Sequence, residues 1–144
     1  MTDTSRAAEF TAADREFLAT PRMGFLTVPD GTGFPQPRPV WFEVTEDGVV
    51  QVFSEAASPK IGRLRRDPRA SIVAAGAIDE PARWIAVSGS ATVEEDGVPE
   101  LADRLAHHYW DLDDPAKAAE FRELMQLDLV RIVIRPERIS RYGG

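Results

Sequence analysis

Hydrophobic and polar positions alternate with a period of two along much of the chain, broken by short stretches of helical spacing. Over residues 84–93, Ile85, Val87 and Ala91 share a face with Gly89, whereas Ser88, Ser90 and Thr92 take the other. That pattern predicts a long strand with one buried and one polar face. Shorter runs predict strands over 23–28, 38–44, 49–54, 70–75 and 129–134, the last running on through Pro136 towards Tyr142. Pro29-Asp30-Gly31-Thr32-Gly33 reads as the turn after the first strand, and Glu46-Asp47-Gly48 as a hairpin turn between the second and third. Four helices fit the remainder. Residues 11–18 carry a capping box in Thr11 and Asp14, with Phe10 as a staple. Ser58 as N-cap and Pro59 at the first helical position open a second helix, which stops before Asp67-Pro68. A third covers about 99–109, with Leu101, Leu105 and His108 or Tyr109 on one stripe. The fourth covers 115–126, with Ala118, Phe121 and Met125.

Six strands in antiparallel succession, with few helices and many Gly and Pro turns, predict a mainly β fold, a small barrel with flanking helices. An open α+β sheet is the alternative. No repeat or low-complexity linker divides the chain, so residues 1–144 are expected to form one domain. Its N-terminal helix falls within 1–20, and a helical excursion over 97–126 precedes the last strand.

Composition removes several function classes. With no cysteine, disulfides, thiolate metal sites and cysteine nucleophiles are excluded. No apolar run approaches the roughly 18 residues of a membrane span, and the opening MTDTSRAAEF has no signal-peptide core, so a cytoplasmic protein is expected. The net charge of −7 argues against a nucleic-acid partner. The cations are unevenly placed, however. Lys60, Arg63, Arg65, Arg66 and Arg69 fall within ten residues that hold a single acid, Asp67. Such a patch on an acidic protein points to a small anionic ligand. On the helix opened by Ser58, Lys60 and Arg63 share a face while Ile61 and Leu64 turn inward. Free backbone N–H groups, the helix dipole, the Ser58 hydroxyl and two cations together suit a phosphate. The alternative is a solvated basic helix.

In the strand Pro37-Arg38-Pro39-Val40-Trp41-Phe42, the two aromatics point to opposite faces, so one can enter the core while the other lines a cleft or an interface. The prolines remove ladder donors, which suits an edge or a ligand-facing wall. Trp84 can border that pocket or close the end of the barrel. Adjacent His107 and His108 point about 100° apart and cannot chelate one metal as a pair, so no metal site is expected. Asp111, Asp113 and Asp114 read as caps rather than catalytic acids. No serine sits in a G-x-S-x-G elbow, and no strong acid, base or nucleophile stands out. If the protein is an enzyme, a cofactor supplies its reactivity.

Three runs, MGFLTVPDGTGFPQPRPVWFEV, VFSEAASPKIGRLRRDPRASIVA and RWIAVSGSATVEED, together resemble the pyridoxamine 5′-phosphate oxidase-like split β-barrel family. They are most similar to its short members regarded as F-420 (deazaflavin)-dependent enzymes. The most specific piece is Ser58, Lys60, Leu64, Asp67, Pro68 and Arg69, followed by a strand. The resemblance implies a six-stranded antiparallel split β-barrel that forms a homodimer, with a flavin-type cofactor, FMN or F-420, in each groove between subunits. It also implies that Ser54, Ser58, Lys60 and Arg63 approach the cofactor phosphate. Pro39, Val40, Trp41 and Phe42 would run beside the ring system. The implied activity is hydride transfer between F-420 or FMN and a small organic substrate. A non-catalytic flavin-, deazaflavin- or haem-binding protein of the same fold is the alternative. Arg65, Arg66 and Arg69 would receive the acidic tail of F-420 if they face the groove. Many relatives carry Arg-Asn at Gly62-Arg63, and the chain ends Ser140-Arg141-Tyr142-Gly143-Gly144 without the Trp- and Arg-containing motif of the longer oxidases. Pyridoxamine phosphate is therefore not the expected substrate.

Overall fold

The computed structural model describes residues 2–5, 9–29, 31 and 33–144; Asp30 and Thr32 of the turn expected at 29–33 lie outside them. A short strand β1 (Thr2–Ser5), not expected from the pattern, precedes α1 (Ala12–Ala19). The capping box at the start of α1 forms as expected: Asp14 N–H donates to Thr11 Oγ1 at 3.0 Å, and Thr11 N–H to Asp14 Oδ2 at 2.8 Å. Then follow β2 (Gly24–Thr27), β3 (Arg38–Val40), β4 (Glu43–Val44) and β5 (Val50–Glu55). Helix α2 (Pro59–Arg66) leads into β6 (Arg69–Ala75) and β7 (Trp84–Glu94). Helices α3 (Val98–Tyr109) and α4 (Pro115–Leu124) separate these from β8 (Leu129–Tyr142).

The sheet is antiparallel throughout, in the order β3-β2-β6-β7-β8-β5-β4, with β1 added on β8. Its two end strands, β3 and β4, are consecutive halves of one chain segment, 38–44. The segment expected as one strand pairs with β2 at its start and with β5 at its end, changing partners across Trp41-Phe42. The sheet therefore curls until that segment closes it. Taken as one, the segment makes six barrel strands, with β1 as an addition outside the ring. Strand β8 is longer than the run of 129–134 on which its core depends. It pairs with the whole length of β7 through Arg131–Tyr142, and shares its other edge between β5 and β1. A register shift at Ser88/Gly89 lets these long strands bend, and the approach there is close: a Cβ on Gly89 would lie 2.0 Å from the Arg135 carbonyl oxygen.

Inside the ring, Leu26, Val52, Ile85, Ile132, Ile134 and Ile139 are almost wholly buried, the inward half of each period-two pattern. Phe42 joins them at 3% exposure. It fits because residue 24 is glycine, since a Cβ there would meet Phe42 at 2.9 Å and Ile72 at 2.8 Å. Helix α3 buries Val98, Leu101, Ala102, Leu105 and Ala106, so its inward stripe includes neither His108, which is exposed, nor Tyr109, which is half-buried. Helix α4 buries no residue completely; Ala118, Phe121 and Met125, the apolar positions expected on it, are half-buried. Its start is nonetheless as expected, with the Asp114 carboxylate accepting from Ala116 N–H at 2.9 Å. Trp84 stacks on Tyr142, its register partner on β8, with centroids 6.2 Å apart, away from the groove described next.

Candidate functional site

The partner switch at 41–42 opens a groove in the barrel wall. Because Phe42 is committed to the core, the period-two alternation turns Trp41 outward, where it is half-buried. Pro39, Val40 and Trp41 form one wall of a groove of about 390 Å³; Phe53, Ser54, Ser58 and Lys60 form another. Trp110, at the end of α3, and Leu124 and Leu127, at the end of α4, supply the apolar remainder together with Met23 and Leu129. Trp41 is the hub of an aromatic cluster. It stacks on Tyr109 at 5.2 Å with planes 4° apart, and meets Trp110 edge-on at 4.7 Å and Phe53 at 6.2 Å. The Lys117 ammonium lies 4.4 Å from the Trp110 ring centre, a cation–π contact that ties α4 to this wall.

The other end of the groove is cationic. Ser58 and Lys60 are shared with an adjoining small pocket of about 120 Å³, lined also by Gln36, Arg38 and Arg63. Burial pushes the Lys60 ammonium below its ordinary value, and the positive charge of Arg38 pushes it further. Among the described residues no carboxylate pairs with Lys60 or Arg38. Arg38 donates instead to the Pro37 carbonyl at 2.9 Å and to Gln36 Oε1 at 2.8 Å. Two like charges are thus held together at the first turn of a helix, where the dipole already favours an anion.

Size does not single out this groove. Depressions of about 580 and 660 Å³ lie elsewhere on the molecule. Some of their polar groups are bonded to one another: Ser71 to Ser88 at 2.8 Å in the first, and Arg131 to Gln51 in the second. The groove beside α2 differs in setting a half-buried lysine beside a second cation, with no carboxylate paired to either among the described residues.

Of the residues expected at the site, Pro39, Val40, Trp41, Ser54, Ser58 and Lys60 line one groove, and Arg63 lines the adjoining pocket. Phe42 does not; its ring belongs to the core, so only its backbone borders the seam. Ser58 occupies the N-cap position without a side-chain cap bond, so its hydroxyl is not used up by the helix. The Ser54 hydroxyl, in a buried residue, donates to the Glu55 carbonyl at 3.2 Å. Arg69 does not reach the groove: it pairs with Asp67 and lines the depression of about 580 Å³, while Arg65 and Arg66 are exposed on α2. The sequence reading missed Arg38, which carried no local signal because its neighbour Lys60 is 22 residues away. It also missed Trp110, whose one signal was an aromatic pair directly after the buried stripe of α3.

The comparisons with known proteins agree with this architecture. The family model for pyridoxamine 5′-phosphate oxidase matches residues 10–141. The chain belongs to the pyridoxamine 5′-phosphate oxidase family. Among solved structures of similar shape, the protein Atu2129 of Agrobacterium tumefaciens, of unknown function, superposes with a TM-score of 0.67 at 20% identity over 88% of this chain. The chain spans about half of that protein, 53% of its length. An F420 reductase superposes at 0.66 and 24% identity, over 85% of this chain and 91% of its own. A FAD-binding protein from Mesorhizobium loti superposes at 0.62 and 19% identity, over 100% of this chain and 99% of its own. No curated protein matches the chain at a significant level. The family's split barrel, with its curled antiparallel sheet and flanking helices, is thus the fold of this chain, and the groove lies at the seam where that barrel is split. No helix among the described residues is long and apolar enough to cross a membrane.

Proposed function

We propose that the groove binds a phosphate-bearing flavin or deazaflavin and that the protein is an oxidoreductase acting on a small organic substrate, with F-420 favoured over FMN. The observation that carries this reading is Lys60, a half-buried ammonium beside Arg38 with no acid partner among the described residues, at the cationic end of a mainly apolar, aromatic groove. The donor set fits the group: Lys60, the uncommitted Ser58 hydroxyl and Arg38 suit a phosphate, while Trp41, Trp110 and Pro39 offer flat apolar surface to a ring. When bound, such a cofactor supplies hydride chemistry; the protein holds the phosphate, orients the ring along Pro39–Trp41 and keeps water from its faces. The match in fold and length to an F420 reductase supports the deazaflavin.

A second copy of the chain fits the same reading. Pro39, Phe25, Val73 and Ala86 are register neighbours on β3, β2, β6 and β7 and form an apolar row across the sheet. Phe25 is 42% exposed, and Pro39 at the end of the row also lines the groove. A partner covering the row would border the groove, giving the homodimer with a cofactor at its interface.

Fluorescence titration with F-420, FMN and riboflavin tests the cofactor, and light scattering tests the dimer. Micromolar or tighter binding of F-420 or FMN, with riboflavin clearly weaker, is expected; a protein that binds neither phosphorylated ligand overturns the proposal. One observation favours a binding protein without turnover: the groove lining offers no histidine, and its one carboxylate, Glu55, is on an exposed residue. Absorbance of the reduced cofactor in the presence of a panel of acceptors separates the two, since only the oxidoreductase accelerates its reoxidation.

A further inference from the structure

The seam at Trp41-Phe42 is held by one side chain from a distant element. Where segment 38–44 leaves β2 and has not yet joined β5, its backbone lies outside both ladders. Tyr109, the last residue of α3, fills the gap. Its hydroxyl oxygen accepts from the Phe42 N–H at 3.3 Å and donates to the Arg22 carbonyl at 2.6 Å, bridging the seam to the chain entering β2. The Phe42 carbonyl lies 3.4 Å away on the same side. Burial pushes this phenol above its ordinary value, so it stays protonated and able to donate. The same ring lies flat against Trp41. One residue therefore sets both the backbone that carries the groove wall and the plane of the indole that forms it.

We propose that Tyr109 is a positioning residue of the groove, holding Trp41 and the 40–42 backbone in place for the ring of the bound cofactor. The inference rests on the reading of the groove as a cofactor site. Tyr109 itself does not line the groove and acts through Trp41. This separates it from Lys60, whose effect depends on the phosphate. Loss of Tyr109 must weaken phosphorylated and unphosphorylated ligands by the same factor.

The test compares Tyr109→Phe, which keeps the stack and removes the bridge, with Tyr109→Leu, which removes both. At a temperature well below unfolding, Tyr109→Phe should weaken FMN and riboflavin alike by about threefold to tenfold, and Tyr109→Leu by more. Combined with Lys60→Ala, the FMN losses should multiply, because the two residues act on different parts of the ligand. A variant that melts earlier but binds both ligands like wild type has only a structural role for Tyr109, and overturns the proposal. A loss confined to FMN overturns it as well. Acrylamide quenching of tryptophan emission in the ligand-free protein keeps this result apart from the cofactor reading. Quenching should rise in Tyr109→Phe as Trp41 loosens, and equal quenching refutes the positioning role whatever the protein binds. If wild type binds neither FMN, F-420 nor riboflavin, the cofactor reading fails instead.

Discussion

Beside α1, two arginines meet carboxylates. Asp14, 2% exposed, accepts from Arg141 at 2.7 and 2.9 Å while it also caps the helix. Arg22 forks onto Glu80 at 2.6 and 3.1 Å, and Arg15 donates to the carbonyls of Thr45 and Glu46. Beside α2, Lys60 lies next to Arg38 and, among the described residues, no carboxylate pairs with either, although the chain as a whole carries an excess of acids. Both regions are partly buried. The first uses its charges to fasten a helix to the barrel; the second leaves repulsion in place that an anion would relieve. The ion pairs here belong to the scaffold, and the like-charged pair belongs to the candidate site.

The largest effect expected from breaking this contrast is on stability. Asp14→Ala removes the buried carboxylate that accepts from Arg141, and with it the cap of α1. Unfolding by denaturant should show a loss of about 3 kcal/mol. Burial by itself would raise the Asp14 carboxyl, but the bonds from Arg141 and Thr11 outweigh it and hold the group below its ordinary 3.8. A carboxyl lowered in the folded state contributes stability above its unfolded value, and that stability is lost as pH falls through the folded value. The gap between wild type and Asp14→Asn should therefore stay constant down to about pH 3.8 and close only below it. A gap that closes nearer neutrality would mean the pair is not what holds α1.

Next is Lys60→Ala. A charge-assisted bond to phosphate contributes on the order of 1.5–3 kcal/mol, so affinity for FMN or F-420 should fall roughly 10- to 150-fold. The ligand-free protein should lose no stability, because the folded state lowers the affinity of this amine for its proton and so disfavours its charged form at neutral pH. As pH rises through that lowered value the lysine discharges, so phosphate affinity should fade at a lower pH than for an exposed lysine. Unchanged FMN affinity in the variant would remove the phosphate assignment. The smallest effect is expected from Arg69→Ala. Arg69 belongs to the same basic run but is fully exposed and already paired with Asp67, so neither stability nor cofactor affinity should change measurably. Weakening comparable to that of Lys60→Ala would show that net charge, and not the unpaired geometry, draws the ligand.

Much of this was legible along the chain. The alternation in 84–93 is the burial pattern of β7, and Thr11, Asp14, Pro59 and Asp114 start their helices where their side-chain chemistry requires. The grouping of Lys60 with Ser58 at the opening of α2, and the opposed directions of Trp41 and Phe42, follow from helix and strand periods alone. These features depend on residues within one or two turns or a few pleats of each other.

What tertiary structure alone decided has a different physical origin. Segment 38–44 has an unbroken strand pattern, yet it is two strands, because closing the curled sheet makes it serve β2 at one end and β5 at the other. Arg38 lies beside Lys60, and Tyr109 fills the seam 67 residues away from Phe42, through contacts that no local period encodes. Period and capping are set by the backbone geometry of neighbouring residues, and so they can be read in order along the chain. Which cation lies beside which, and which hydroxyl meets an unpaired N–H, depends on how the ring of strands closes. That is settled by the packing of Phe42 against Gly24 and Ile72 in the core rather than by anything in the segments themselves.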